Sequence, residues 1–159
     1  MLTEGLTHTS SVIVNNDNTA QALGSGDMPV FATPALVALM ENAAMQAVAS
    51  LIPEDSTTVG GFIETSHLAP SSLGATIQAT ATLTEVKGRK LTFTIEAKEG
   101  EKTVGKATHI RFIVERKKFL ESLWVIASST LLFYIGSLCK RDYKGIEKNA
   151  KNCLKTIRF

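Results

Sequence analysis

The chain has 159 residues, 44% of them apolar and 20% charged, with a formal net charge of +2. That length and composition fit one globular domain able to bury its own core, and exclude a disordered, fibrous or disulfide-stapled chain. The charge is lopsided: residues 140–159 carry seven Lys or Arg against Asp142 and Glu147, a net +5, which leaves −3 on the preceding part. The body is therefore mildly acidic, and no nucleic-acid partner is expected.

Residues 7–15 (THTSSVIVN) read as a short strand. The stretch from Asn15 to Met28 is rich in Asn, Asp, Gly and Ser and marks a loop. Thr33-Pro34 is a helix start, a hydroxyl cap followed by proline at the first helical position, and the helix is expected to run to Leu51, before Pro53. On a 3.6-residue wheel Leu36, Met40, Ala43, Ala44, Ala47 and Leu51 share one apolar face, with Asn42 and Gln46 opposite. Glu41 sits at the flank of that face beside Val37 and Val48, and the small alanines let a sheet come close.

Four strand-like segments follow. Residues 57–67 are β-rich and hold Gly60-Gly61. Residues 74–86 alternate Ala75, Ile77, Ala79, Ala81 and Leu83 with Thr and Gln; residues 90–98 repeat the pattern with Leu91, Phe93, Ile95 and Ala97. Lys87-Gly88-Arg89 and Glu99-Gly100-Glu101 are turns, and residues 102–115 form a last long strand. The order β–α–β–β–β–β gives an α+β domain, an antiparallel sheet with one long helix.

Cys139 and Cys153 have no metal-ligand spacing and suggest no disulfide framework, so neither a metal nor a cofactor is called for and a reducing compartment is expected. The first residues, MLTEGLTH, have neither a basic start nor an apolar core, so a cytoplasmic location is the default. Residues 119–159 form an atypical extension. Its uncharged part, 122–139, lies at the lower limit of length for a membrane span and is followed by Lys140-Arg141. It is open to three readings: a membrane anchor, a helix packed on the body, or a non-native tail.

Chemistry concentrates on Thr33, Glu41 and His67, spaced by 8 and then 26 residues. Each has a plain explanation. Thr33 can be the helix cap, Glu41 can reach solvent or an arginine such as Arg111, and His67 can be a satisfied histidine at a strand end. A carboxylate on a mostly apolar helix is the hardest to dismiss, because burying it unpaired is expensive.

The ordered set Phe31-Ala32-Thr33 with Leu39-Met40-Glu41, then Gly60, His67 and Gly74, then 85–91 (EVKGRKL) and 105–111 (GKATHIR) resembles the fluoroacetyl-CoA thioesterase-like group of hotdog-fold thioesterases. The likeness covers roughly residues 5–120, the single motifs being weak and their order and gaps specific. It implies a hotdog fold, hydrolysis of a short- or medium-chain acyl-CoA thioester, and a catalytic set on Thr33, Glu41 and His67. Glu41 would attack the carbonyl or activate water, His67 would do acid–base work, and Thr33 would bond Glu41 or the substrate. Gly60 matches the glycine placed beside the thioester carbonyl, a candidate for oxyanion stabilisation. It also implies at least a homodimer with the site at the interface, both chains contributing. Arg89, Lys90, Lys106 and Arg111 are candidate ligands for the CoA phosphates, and His109 reads as structural. The loop Gly24-Ser25-Gly26-Asp27-Met28 lacks the bulky aromatics of a lid tailored to fluoroacetate, so another acyl group is expected. The rival readings are a non-catalytic acyl-CoA-binding hotdog module and a hotdog hydratase or dehydratase of acyl thioesters.

Overall fold

The structure, a computed structural model, describes residues 2–123. The elements are β1 (Thr7–Ile13), α1 (Thr33–Gln46), β2 (Ser56–His67), β3 (Thr76–Lys87), β4 (Lys90–Glu99) and β5 (Lys102–Glu115), with one 3₁₀ turn at Ala49–Leu51 after the helix. The strands form a single antiparallel sheet in the order β1-β3-β4-β5-β2. The helix lies against all five strands. This is the expected α+β layout, a curled sheet holding one central helix.

Alternation decides which face of each strand the helix covers. Ile77, Ala79, Ala81 and Leu83 of β3 and Leu91, Phe93, Ile95 and Ala97 of β4 are all buried, while the Thr and Gln between them face outward or sit half-buried. From α1 the buried residues are Leu36, Leu39, Met40, Ala43 and Ala44. Gly105 of β5 lets the helix settle this low: a Cβ there would sit 2.9 Å from Leu36 Cδ2 and 3.0 Å from Met40 Cε.

Three of the boundaries that differ from the sequence reading have a local physical reason. The α-helix stops at Gln46, and the chain then tightens into the 3₁₀ turn. A 3₁₀ turn advances more per residue than an α-helix, which swings Leu51 off the apolar face. Leu51 is 40% exposed, while Val48 is buried and Leu39 joins the core. At the other end Ala32, not Thr33, is the capping residue, and no side chain among the described residues caps the helix. Finally, β3 begins at Thr76, because Gly74 takes a left-handed φ of 85° that breaks the strand.

Strand β2 carries a register shift between Gly60 and Phe62 against β5. Gly61, the extra residue, lies over the Phe112 ring, where a Cβ would be 2.6 Å from Cε2. Bulges of this kind bend the strand and re-aim its side chains.

The body up to Arg116 is one compact unit, and residues 116–123 are helical. The candidate membrane segment 122–139 falls almost wholly outside the described residues. Among the described residues no helix is long and apolar enough to cross a membrane.

Phe93 is fully buried and lies opposite His109 in the β4–β5 ladder. Phe93→Ala should lower the unfolding free energy by about 3–5 kcal/mol with an unchanged urea m-value, read from equilibrium unfolding.

Candidate active site

The helix start and the end of β2 converge on one pair of side chains. Phe31 N–H donates to the Ser71 carbonyl at 2.9 Å and Ala32 N–H to the Asn18 carbonyl at 3.0 Å, which pins the chain entering α1. His67 lies opposite Gly105, the residue over which α1 settles. Thr33 Oγ1 and His67 Nδ1 thereby meet at 2.8 Å. Thr33 is free to do this because it is the first helical residue and not the cap. With the ring proton on Nε2, the hydroxyl donates to Nδ1, an arrangement that draws electron density onto the oxygen. His67 Nε2 is buried without a hydrogen-bond partner among the described residues. Burial holds the His67 pKa below the ordinary 6.5, the Ala69 backbone offsetting part of the effect.

This pair borders a cleft of about 300 Å³ lined by Ala20, Ser25, Val30, Phe31, Leu68, Ala69 and Pro70 besides Thr33 and His67. The cleft's walls are small or aliphatic apart from Phe31, which is buried.

Glu41 stands elsewhere on α1, eight residues after Thr33, which is about 12 Å of helical rise. The Thr33–Glu41 hydrogen bond entertained from the sequence is therefore not formed within one chain. Glu41 Oε1 lies 3.4 Å from His109 Nε2 and 3.8 Å from Arg111 Nη1, and the carboxylate side chain remains 40% exposed. Gly60 closes over it: a Cβ there would be 2.6 Å from Glu41 Oε1 and 3.2 Å from His109 Cε1. Gly60 and Glu41 thus share one small space, with the β2 backbone beside the carboxylate.

Beneath Glu41 is a buried polar cluster. Arg111 Nε donates to Thr58 Oγ1 at 2.9 Å, Nη2 to the Thr58 carbonyl at 2.7 Å, and Nη1 meets His109 Nε2 at 3.0 Å. His109 Nδ1 donates to the Phe62 carbonyl at 2.6 Å. Burial pushes the His109 pKa down, and Arg111 adds to the effect while Phe62 and Glu41 oppose it; Arg111 is likewise lowered by burial and drawn back by Glu41. Arg111 stays charged in any case.

The cluster relocates one phosphate candidate. Arg111 is only 6% exposed and every nitrogen of its guanidinium has an inward partner, so it belongs with Glu41 and not at a phosphate-binding mouth. Arg89 and Lys90 occupy the β3–β4 turn. Lys106 lies 3.9 Å from Glu96 and next to the inward-facing Ala107, so it points out from the face opposite α1. The structure does not gather the four basic residues. The sequence reading missed the His109–Thr58 part of the cluster. Its signal was the inward parity of β5, where Ala107, His109, Arg111 and Ile113 share the face that α1 covers.

The fluoroacetyl-CoA-specific thioesterase family model matches residues 14–117. A fluoroacetyl-CoA thioesterase from Streptantibioticus cattleyicolor is 36% identical over 90 residues, 57% of this chain and 65% of that protein, so the match spans just under two thirds of the relative's length. The solved structure of the fluoroacetyl-CoA thioesterase FlK superposes with a TM-score of 0.73 at 29% identity, covering 77% of this chain and 96% of that one. A threonine-to-serine mutant of FlK in complex with acetyl-CoA gives 0.73 at 28%, with the same coverage. A Thermus thermophilus thioesterase-superfamily member at 23% identity, TM-score 0.73, covering 81% and 95%, shares the fold.

Both histidines titrate lower folded than unfolded. Below pH 6.5 the unfolded chain therefore binds more protons than the native one. Stability should be full above that pH and fall as the pH drops through the two folded values. Urea unfolding across pH 5–7.5 measures the slope, and His67→Gln should flatten it; an identical slope in that variant would count against a depressed His67.

Proposed function

The chain belongs to the fluoroacetyl-CoA-specific thioesterase family, and we propose that it hydrolyses the thioester of a short- or medium-chain acyl-CoA through Thr33, Glu41 and His67. The observation that carries the reading is the Thr33–His67 contact at 2.8 Å on a cleft, with a carboxylate held further along the same helix. The activity is assigned to residues 1–118, in a cytoplasmic protein.

Hydrolysis adds water across the acyl–sulfur bond: a C–O bond forms, the C–S bond breaks, and the thiolate takes up a proton as CoA leaves. Glu41 supplies the attacking electron pair, directly or through a water. Next to it the Gly60 backbone has no side chain to obstruct a carbonyl, and an N–H there would face the developing oxyanion. His67 and Thr33 hold the thioester from the other side and pass the proton. Arg89, Lys90 and Lys106 remain the candidates for the CoA phosphates.

Geometry asks for two copies. About 12 Å of helix separates Thr33 from Glu41, more than their side chains span. Among the described residues strand β2 pairs only with β5, and Phe62 on it is 50% exposed, which leaves its far edge as the candidate for pairing with a second copy. Pairing related by a two-fold axis would bring Glu41 of the partner subunit to Thr33–His67, and vice versa. The family's named members are thioesterases, which disfavours the binding-module and hydratase readings. The cleft borders on Ser25 and Ala20 in the stretch where a fluoroacetate-tailored lid would place aromatics, so acyl groups other than fluoroacetyl are the expected substrates.

Release of free CoA from a panel of acyl-CoAs, followed with a thiol reagent, tests the activity; binding without release from any of them would sink it. Glu41→Ala and His67→Ala should each lower kcat on the order of 10²–10⁴-fold. Co-expressing the two inactive variants should restore roughly a quarter of wild-type activity, because half the dimers are mixed and each mixed dimer has one intact site. No recovery would refute the shared site.

A further inference from the structure

Among the described residues Arg111 is the cation against the Glu41 carboxylate, and the structure shows what holds it in place. The ion pair between Arg111 and Glu41 runs from Nη1 to Oε1, at 3.8 Å. That same Nη1 is 3.0 Å from His109 Nε2, and Nε and Nη2 are tied to Thr58. The direction in which Nη1 presents its charge thus depends on the imidazole beneath it.

The imidazole has no freedom of its own. A carbonyl oxygen can only accept, so the 2.6 Å contact with Phe62 places the proton of a neutral His109 on Nδ1. Nε2 is then a bare acceptor, filled by Nη1–H of Arg111. With no proton on Nε2, its 3.4 Å separation from Glu41 Oε1 is not a hydrogen bond. His109 therefore touches Glu41 without bonding it, and acts on it through Arg111. Phe62 is the residue just past the β2 register shift, so the same ring ties the bulge that brings Gly60 over the carboxylate.

We propose that His109 is a positioning residue: a neutral, Nδ1-protonated imidazole that links the β2 bulge at Phe62 to Arg111 and so fixes the Arg111 charge against Glu41. It touches no reacting atom. The inference rests on the thioesterase reading for its kinetic consequence, and its tautomer is open to test without any turnover.

Two variants separate positioning from mere packing. The Asn amide occupies the Nδ1 position, so His109→Asn keeps a donor for Phe62 and leaves Arg111 Nη1 without its acceptor. The Gln amide reaches the Nε2 position, so in His109→Gln its carbonyl accepts from Nη1. His109→Asn should lose kcat by about 100-fold with KM little changed, as expected when a reacting group is misplaced by about an ångström. His109→Gln should recover a large part of that loss. Equal activity of wild type and His109→Asn, or equal losses in both variants, would overturn the proposal.

Nitrogen-15 NMR of the wild-type imidazole supplies the arm that does not depend on activity or on the variants folding. A protonated Nδ1 and a bare Nε2 near pH 7 are expected; an imidazolium or the Nε2–H tautomer would overturn the assignment. A wild type with the expected tautomer but no thioester cleavage would refute the catalytic reading and leave the Phe62–His109–Arg111 link standing.

Discussion

Everything functional in this fold depends on how closely α1 lies on the sheet, and that distance is set by missing side chains. Gly105 under Leu36 and Met40 lets the first half of the helix descend, and Ala43 and Ala44 bury fully in the second half. Gly60 does the same beside Glu41, where a methyl group would strike the carboxylate oxygen. Interiors are packed too tightly to absorb an extra carbon without movement. A helix riding higher would carry Thr33 away from His67, and Glu41 away from Arg111. One packing distance therefore governs both halves of the site.

The cluster under Glu41 is costly by ordinary standards. A buried guanidinium is stabilising only when its donors are satisfied, and here Thr58 supplies two acceptors and His109 a third. Replacing buried charged groups by well-packed hydrophobic residues is often neutral or stabilising. The arrangement makes sense once the half-exposed Glu41 is counted, since it gains a fixed positive charge on its inner side while its outer side stays open. In the proposed reaction, a carboxylate held in one orientation before substrate arrives would meet the condition for efficient attack. The β2 bulge belongs to the same unit, because the Phe62 carbonyl is what orients His109.

How much of this could be read from residues alone depends on whether the information is local. Strict alternation in β3 and β4 placed their inward residues correctly, since a strand's period of two leaves little choice once one face is buried. The four-strand run after the helix was legible for the same reason. The end of α1 was not, because Ala47 to Leu51 contains no Gly or Pro and nothing local announces a change from α to 3₁₀ winding. Thr33 was misread as a cap because Thr-Pro is a strong local capping signal, and its bond to His67 joins residues 34 positions apart. The Arg111–Glu41 approach was foreseeable from the carboxylate's need for a partner. The His109 tautomer was not, because it depends on a bulge that shifts which carbonyl faces the ring.

In the proposed reaction, substrate choice would follow from the cleft's walls more than from Thr33 and His67. Ala20, Ser25, Val30, Ala69 and Pro70 surround Thr33 and His67 with short side chains, and Phe31 is turned into the core. An apolar wall distinguishes neighbouring acyl groups only by bulk, at roughly 1–3 kcal/mol for each methylene gained or lost. Sharper rejection requires a polar group that goes unpaired with the wrong ligand. Two buried polar side-chain atoms lack partners among the described residues, His67 Nε2 and Ser71 Oγ, and His67 borders the cleft. Nε2 itself is closed off from solvent, so in the proposed reaction a substrate would pair with it only by displacing what covers it. A thioester that did so and offered an acceptor would gain more than one that merely fills the volume, so selection of the acyl group should fall near the carbonyl and ease further out.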